Sequence, residues 1–338
     1  MKSTLSFSKT PADRLPRVAV IIVNFNGGEI LQKCLLLLRQ QTYPSFRVIV
    51  VDNDSRDNSV ETAERTFPEF SFIRAGYNSG FATGNNIGFA AAQDCEWIAC
   101  LNPDAFAAPD WLSNLVKASM AHPEFQFFGS LMQTGEDSTL LDGTGDVYHV
   151  SGAVWRKNFR ARRSQAGREL TEIFGPCAAA SFYRRDILAE VNGFDENYFC
   201  YFEDVDLAFR LRLLGYRCAY VPDAIVDHIG SAITGYKSDF AIYHGHRNLE
   251  WTFFKNMPPL LLWFYLPQHL LLILVTLIAY SLYGKGRVIF KAKRDALLGL
   301  PVILRQRTHL QHDRKVSSSS LRAVMAHGLF LPYRRHFG

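Results

Sequence analysis

The chain has 338 residues, and 48% of them are hydrophobic, which excludes a disordered protein and suffices for one large domain with an appendage or for two domains. Its six cysteines form no Cys-x-x-Cys pair and no zinc-finger spacing, so free thiols in a reducing compartment are expected. The first 17 residues are polar, contain Pro11 and Pro16, and lack the apolar stretch of a secretion signal.

The first hundred residues predict an alternation of strands and helices. Residues 18–23 form a continuous apolar run, typical of a buried strand, that ends in the polar turn at 24–28. Apolar residues at helical spacing follow between 31 and 38, and a second strand is predicted at 46–51. This order implies a parallel pair of strands with a right-handed crossover. The alternation continues with helices at 57–67 and 80–92 and strands at 70–74 and 97–101.

Polar residues follow each of these predicted strands. Ligands bind at the carboxyl edge of an open α/β sheet. We therefore expect Asn24, Asp52, Asn78 and Asp104 to line one crevice. The fold class predicted from this pattern is α/β, with a Rossmann-like, mostly parallel sheet flanked by helices.

The polar turn after the second strand has two interpretations. Asp52, Asn53 and the residues that follow them are common turn formers. A carboxylate at this edge can also accept the imide N–H of a pyrimidine base, while Asn24 and the glycine backbone beside it approach a ribose or a phosphate. The glycine-rich turn at 78–88 lacks the dinucleotide spacing and a Walker lysine, which argues against a redox cofactor or ATP.

A metal site is the next hypothesis. Asn102 and Asp104 offer one amide and one carboxylate after the strand at 97–101, and His228 is a candidate second ligand far along the chain. A divalent metal beside a diphosphate needs few protein ligands, because phosphates and waters supply the rest. A lone histidine is more often a hydrogen-bonded structural residue, and that alternative remains open.

One aromatic and aliphatic segment contains three carboxylates within four positions, Glu203, Asp204 and Asp206. Like charges repel, and apolar neighbours raise the pKa of a carboxyl group, so such a cluster needs a substrate proton, a cation or basic partners. Leucines at helical spacing place the acids at the start of a helix. They supply a general base, or they form an acidic helix start with Arg210 and Arg212 as partners.

The end of the chain is first apolar and then basic. Residues 260–283 approach membrane-spanning length but are interrupted by Pro267, Gln268 and His269, and 12 Lys and Arg against two Asp follow from Gly284 onward. This pattern favours an interfacial or re-entrant element on an anionic lipid surface. A buried helix or a homo-oligomer contact is the alternative. Nucleic acid is not expected as a partner, because phosphate binding needs no adjacent apolar helix.

Taken together, six motifs in this order resemble the family 2 inverting glycosyltransferases of the GT-A fold. Within that family the chain is most similar to bacterial rhamnosyltransferase-type enzymes that build lipid-linked surface polysaccharides, over residues 17 to about 250. Several spaced motifs are more specific than any one alone. The motifs are Val23-Asn24-Phe25-Asn26, Val51-Asp52-Asn53-Asp54-Ser55, Asn78-Ser79-Gly80-Phe81 with Gly84-Asn85-Asn86, Leu101-Asn102-Pro103-Asp104, Gly193-Phe194-Asp195-Glu196 and Tyr201-Phe202-Glu203-Asp204-Val205-Asp206.

The resemblance implies a role for each motif. Asp104 would be the carboxylate that faces a divalent metal, Mg²⁺ or Mn²⁺, and His228 the late histidine associated with metal and diphosphate. Asp204 would be the catalytic base, and Asp52 would contact the nucleotide base. Many relatives have Asp where this chain has Asn102. The residues expected to bind substrate are Asn24, Asp52, Asn53, Asn78, Gly84, Asn85, Asn102 and Glu203.

The resemblance also implies a reaction and a location. A sugar, with rhamnose favoured, would move with inversion from a dTDP or UDP donor to a saccharide acceptor linked to lipid, such as a polyprenyl diphosphate. The expected regions are an N-terminal extension at 1–16, a GT-A domain at 17–256 and a helical, membrane-associating region at 257–338. The enzyme would sit on the cytoplasmic face of the bacterial inner membrane as a peripheral or monotopic protein.

Two other functions remain as alternatives. A non-catalytic, membrane-associated subunit that binds nucleotide sugars would keep the fold without turnover, but it has no need of intact Asp104 and Asp204. A sugar-phosphate nucleotidyltransferase would use a related sheet. That reaction requires a glycine-rich loop with Lys or Arg near the N-terminus, and residues 24–28 contain no basic side chain.

Overall fold

The computed structural model describes residues 14–135, 137–230 and 238–335, so most of the predicted N-terminal extension lies outside the described residues. The predicted strands and helices of the first hundred residues are confirmed to within a few positions. The strands of the described part are β1 Val18–Asn24, β2 Phe46–Asp52, β3 Ser71–Arg74, β4 Trp97–Leu101, β5 Ala105–Ala107, β6 Phe127–Thr134, β7 Leu141–Gly143, β8 Asp146–Tyr148, β9 Val154–Arg156, β10 Thr171–Ile173, β11 Ala180–Arg184 and β12 Cys218–His228. The helices are α1 Gly28–Arg39, α2 Ser59–Thr66, α3 Gly80–Ala91, α4 Trp111–Ala121, α5 Arg185–Glu190, α6 Glu203–Leu213, α7 Asp239–Asn256, α8 Pro259–Leu282, α9 Gly286–His312, α10 Ser318–Ala323 and α11 Leu331–Arg335.

Ten strands form one mixed sheet in the order β10-β12-β6-β11-β4-β1-β2-β3, with β5 beside β12 and β7 beside β6. Strands β3, β2, β1 and β4 are mutually parallel, and β12 runs parallel to β6. Strand β11 is antiparallel to both of its neighbours. The predicted α/β class with a mostly parallel sheet is therefore confirmed. Strands β8 and β9 form a separate hairpin.

Helices cover both faces of the sheet. Alternate residues of β1 enter two different cores, with Val20 and Ile22 in one and Ala19 and Ile21 in the other. Helices α1 and α4 pack on the first face, while α3, α5 and α6 pack on the second. A strand buried on both sides reads as a continuous apolar run, which explains why the local sequence predicted β1 so well.

The C-terminal helices pack directly on α6. Phe253 of α7, Met257, and Leu261 of α8 share one core with Val205 and Phe209 of α6. The predicted division between residues 256 and 257 therefore falls inside a shared core, and two separate domains at that position stay a prediction.

Helix α8 is continuous for 24 residues and contains Pro267, whereas the sequence suggested an interrupted segment. Proline removes one backbone donor and crowds the preceding turn. Packing explains why the helix persists: Pro267 is exposed, while Leu262 and Tyr265 before it and His269 and Leu272 after it are buried against the protein. Contacts on both sides of the proline thus hold the two halves in line.

Candidate active site

The polar residues after β1 and β2 meet at the carboxyl edge of the sheet, as predicted. Asn24 lies opposite Asp52 in the parallel register. The Asn24 amide nitrogen donates to Ser55 Oγ and Ser59 Oγ, both at 3.0 Å, and the Ser55 backbone N–H donates to Asp52 Oδ1 at 3.1 Å. The Asn24 Oδ1 atom is buried and has no partner within the described ranges. These bonds fix the Asp52 carboxylate beside the ends of both strands.

The Gly-rich turn joins the same edge through Asn53. Its Oδ1 accepts from the Ser79 backbone N–H at 2.7 Å, and its amide nitrogen donates to Asn78 Oδ1 at 3.0 Å. Gly84 and Asn85 have other contacts: a Cβ at Gly84 would lie 2.6 Å from Val23, and the Asn85 amide donates to the Phe81 carbonyl within α3. The first contact packs α3 on β1 and the second lies within α3, so the part of Gly84 and Asn85 in substrate binding stays a prediction.

Asp104 and His228 are brought together by the pairing of β5 with β12, which sets His228 opposite Ala105. His228 Nε2 lies 3.4 Å from Asp104 Oδ1, and its Nδ1 lies 2.8 Å from Asp142 Oδ2. Burial lowers the pKa of His228, but the two carboxylates outweigh burial and raise it. Asp142 was not predicted, because the local sequence does not show that it contacts His228, 86 positions away.

These residues fit a divalent metal ion. Asp142 can hold the Nδ1 proton, which leaves the Nε2 lone pair directed toward Asp104, the usual arrangement of a metal-binding histidine. His228 Nε2 and Asn102 Oδ1 are buried atoms without hydrogen-bond partners in the described part of the chain. No group of three or more His, Cys, Asp or Glu there could hold a metal alone. A metal at this pair would need oxygen atoms from a bound diphosphate or from water.

Arg156 connects the histidine side of the site to α6. Its guanidinium contacts Asp142 Oδ2, and its Nη2 donates to Cys177 Sγ at 3.3 Å. The next residue along, Ala178, donates its backbone N–H to Asp204 Oδ2 at 2.9 Å. Arg156 ends strand β9, and its charge is paired with Asp142 within the site. A charge in such a poorly solvated position needs a partner of opposite charge.

Two arginines that follow β9 along the chain lie outside this site. Arg162 and Arg163 line a cavity of about 1020 Å³ together with residues 137–140, Pro222, Asp223 and Ile225. None of the predicted site residues lines this cavity.

The first two acids of α6 differ in electrostatic state. Burial and the charge of Asp204 raise the pKa of Glu203 far above its ordinary value. Burial also raises the pKa of Asp204, but the N–H groups of Ala178 and Val205 and the charge of Arg156 oppose that effect. The nearby Asp146 is buried and has its pKa raised strongly by burial and by Asp204. Among Asp146, Glu203 and Asp204, it is therefore Asp204 whose surroundings best stabilise the ionised form.

Asp206 has a structural role. It is fully buried and accepts from Arg210 Nε at 2.7 Å, Lys255 Nζ at 3.0 Å and Asn256 Nδ2 at 2.8 Å. The predicted acidic helix start with Arg210 as partner is therefore correct for this acid. Arg212 differs from the prediction, because it pairs with Glu172 of β10 at 3.0 Å.

A strained turn precedes the acids of α6. Phe199 has φ 64° and ψ −64°, and the Cys200 N–H donates to the Tyr198 carbonyl at 2.7 Å, which defines a γ-turn of the rare positive-φ type. Tyr201 and Phe202 also have positive φ, at 67° and 68°. Such residues cost on the order of 1–3 kcal/mol each and persist where surrounding contacts impose them.

Two neighbours hold this turn. The Asn248 amide of α7 donates to the carbonyls of Cys200 at 3.0 Å and Tyr201 at 2.7 Å. The Phe199 carbonyl accepts from the Phe81 backbone N–H at 2.6 Å at the start of α3. The turn therefore links the start of α6 both to the donor side of the site and to the C-terminal helices.

Solved structures with this fold are glycosyltransferases. The chain superimposes on GalNAc-T7 with UDP, GalNAc and Mn²⁺ at a TM-score of 0.61, with 14% identity, over 76% of this chain and 50% of that one. It superimposes on the mannosyltransferase PcManGT of Pyrobaculum calidifontis, in complex with GDP-Man and Mn²⁺, at a TM-score of 0.54 with 18% identity, over 89% and 86% of the two chains. The fold is that of a GT-A glycosyltransferase.

Residues 19–191 match the sequence model of the family named Glycosyl transferase family 2, and the chain belongs to that family. It is 28% identical over 239 residues to the N-acetylglucosaminyl-diphospho-decaprenol L-rhamnosyltransferase of Mycobacterium tuberculosis, covering 64% of this chain and 77% of that protein. It is 27% identical to the rhamnosyltransferase WbbL of Escherichia coli, covering 61% and 80%. The predicted resemblance and the predicted enzyme class, a glycosyltransferase, are confirmed.

Proposed function

We propose that this family 2 enzyme is an inverting, metal-dependent transferase. It moves a sugar, with rhamnose favoured, from a dTDP or UDP donor to a saccharide linked to lipid, in the synthesis of a bacterial surface polysaccharide such as an O-antigen. The observation that supports this most is one chain of contacts from the Asp104 and His228 pair through Asp142 and Arg156 to the segment that holds Asp204. These contacts would join the site for the leaving group to the base.

The donor would lie along the strand ends. Asp52 is held by the Ser55 N–H and can accept the imide N–H of uracil or thymine. Asn24, Asn53 and Asn78 lie near the same edge and would line the nucleoside. Asp104 and His228 would hold Mg²⁺ or Mn²⁺, which when bound neutralises charge on the departing diphosphate. The two structural neighbours, one with UDP and Mn²⁺ and the other with GDP-Man and Mn²⁺, support this assignment.

Asp204 would take the proton of the acceptor hydroxyl as that oxygen bonds to the anomeric carbon. The bond from this carbon to the diphosphate breaks on the opposite face, and its electron pair leaves with the diphosphate. A single displacement inverts the configuration. The raised pKa of Asp204 suits a general base, because a base works best when its pKa lies near the working pH.

The proposed class of acceptor is inferred from two relatives of this chain. The M. tuberculosis protein is named for a sugar acceptor on diphospho-decaprenol, and the Salmonella typhimurium relative RfbN, 27% identical, is an O-antigen chain rhamnosyltransferase. Within the described residues α8 is the one helix that is long and apolar enough to cross a membrane, by length and composition. An acceptor in the inner membrane, approached from the cytoplasmic face, fits both observations.

The test is a transfer assay with the full-length protein, a panel of dTDP and UDP sugars, and N-acetylglucosaminyl-diphospho-polyprenol as acceptor. We expect one donor to give a product larger by one sugar, with inverted anomeric configuration by NMR, and chelation to stop the reaction. Retained configuration, or binding of donors without transfer to any acceptor, would exclude this function and favour the non-catalytic alternative.

A further inference from the structure

Helix α8 has one face buried in the protein along most of its length and one face exposed. The buried positions recur every three or four residues, as expected for a helix packed lengthwise on a protein surface. Three exposed side chains near its start, Leu260, Trp263 and Phe264, are more than 70% exposed. The buried residues are Leu261, Leu262, Tyr265, His269, Leu272 and Thr276. The exposed large apolar residues further along are Leu270, Leu271, Leu274, Ile278 and Leu282.

A buried ionic cluster fixes the middle of α8 to its neighbours. His269 Nε2 lies 2.6 Å from Glu250 Oε2 of α7, and His269 Nδ1 donates to the Ser151 carbonyl at 2.8 Å. Lys293 of α9 donates to the other oxygen of Glu250. All three ionisable side chains are buried. Breaking a buried ion pair costs about 3–5 kcal/mol, so α8 stays against α7 and α9.

Helix α9 cannot accompany α8 across a bilayer. It carries six Lys and Arg along its 27 residues, and charged side chains at the centre of a membrane are costly. A spanning α8 would bring Glu250 and Lys293 near the bilayer centre, because Glu250 contacts His269 in the middle of that helix and Lys293 contacts Glu250. The packing therefore argues against the spanning arrangement that length and composition alone allow.

The exposed side of α9 has the pattern of an interfacial surface. Leu297, Leu298 and Val302 form an exposed apolar patch, with the exposed Arg287 before it and the exposed Arg305 after it. Apolar residues flanked by Lys and Arg are typical of helices that lie at the headgroup level of an anionic leaflet. The two helices pack against each other, and each exposes apolar groups, with exposed basic groups on α9.

We propose that α8 lies in the plane of an anionic lipid bilayer and that α8 and α9 together form the membrane-binding face of this enzyme. We call this surface the α8–α9 face; it consists of the exposed residues of α8 named above with Arg287, Leu297, Leu298, Val302 and Arg305. The inference rests on the proposed function in one respect, since an acceptor linked to lipid requires the enzyme to work at a membrane. About 36 Å of helix would then contact one leaflet.

Vesicle binding tests the face without donor or acceptor. The purified full-length protein should float with vesicles of phosphatidylglycerol and phosphatidylethanolamine and bind more weakly to phosphatidylcholine alone. Trp263→Ser with Phe264→Ser, and separately Arg287→Glu with Arg305→Glu, should each weaken binding by about tenfold or more. The matched controls carry the same kinds of change on other helices. They are Leu36→Ser with Met120→Ser, and Arg65→Glu with Lys117→Glu, and neither should alter binding.

Sidedness tests the in-plane arrangement. With epitopes at both termini, protease added to inverted inner-membrane vesicles should remove both, whereas a spanning α8 would protect one of them. Protection of one epitope overturns the proposal. So does a dimer in solution that Trp263→Ser with Phe264→Ser dissociates, combined with no vesicle binding. Transfer to a soluble, short-chain acceptor separates the two hypotheses, because the face variants should keep that activity if the proposed function is correct.

Discussion

His228 and Asp142 lie 86 positions apart in sequence, and their side chains meet at 2.8 Å between Nδ1 and Oδ2. This contact fixes which imidazole nitrogen is directed at Asp104, 3.4 Å away. A carboxylate behind a histidine orients the ring and strengthens its other nitrogen as a ligand. Asp142 is thus expected to act on any bound metal through His228.

We expect Asp142→Asn to weaken Mn²⁺ affinity by about 10–100-fold, because the amide orients the ring less firmly and adds no negative charge. Calorimetric titration of Mn²⁺ into the protein with a nucleoside diphosphate measures this without turnover. The control is Asp223→Asn. Asp223 is an exposed aspartate on β12, the strand that carries His228, and its replacement should leave the affinity unchanged. Equal affinity in the wild type and Asp142→Asn would remove this role.

Asp204→Asn should lower kcat by about 10²–10⁴-fold while donor affinity changes by no more than a few-fold, since the amide keeps the shape but cannot take the acceptor proton. Glu203→Gln is the matched comparison. Burial and Asp204 already favour the protonated form of Glu203, so replacing it by a neutral amide should cost far less. Steady-state kinetics and donor titration of both variants decide the assignment; a larger loss in Glu203→Gln would move the base to Glu203.

The activity should depend on pH through Asp204. Its pKa lies above the ordinary value of 3.8, and only the ionised form can accept a proton, so kcat/KM should rise with pH and level off above that raised pKa. The Arg156 charge lowers the pKa of Asp204. Arg156→Gln should therefore shift the acidic limb to higher pH, and Arg156→Lys should shift it less. An unmoved limb in both variants would show that another group controls it.

Asp206→Asn should destabilise the fold by about 3–5 kcal/mol, because the buried Arg210 would lose its carboxylate and the buried Lys255 would keep only that of Asp195. Urea unfolding measures the change, and the exposed ion-pair variant Asp186→Asn should cost under about 1 kcal/mol. Burial raises the pKa of Asp206, but Lys255 and Arg210 outweigh burial and lower it to about 2. Its stabilisation is therefore complete above pH 3.8 and is lost as the pH falls toward 2.

Asn248→Asp should reduce kcat by at least about tenfold with little change in donor affinity. A carboxylate has the size of the amide but cannot donate to the Cys200 and Tyr201 carbonyls, so the strained turn before α6 would relax and displace Asp204. Asn114→Asp is a matched control, since its amide also donates to a backbone carbonyl, that of Asp223. Wild-type kcat in a folded Asn248→Asp protein would contradict this role.

Much of the fold could be predicted from the sequence because its signals are local. Strand β1, apolar from residue 18 to residue 23, and the amphipathic helix α1 have patterns that need no distant partner to be recognised. Parallel pairing then places the residues after each strand at one edge, which brought Asn24 and Asp52 together. The family resemblance rests on the same ordered segments.

Only the tertiary structure separated the three acids of α6. Glu203, Asp204 and Asp206 lie within four positions, but Asp206 meets Lys255 from a helix 49 positions away and Asp204 meets the backbone of Ala178. The local sequence also allowed α8 to cross a membrane, and the contact of His269 with Glu250 is what argues against it. Charge states and packing partners depend on contacts between residues distant in sequence. The periodicity of a local segment cannot predict such contacts.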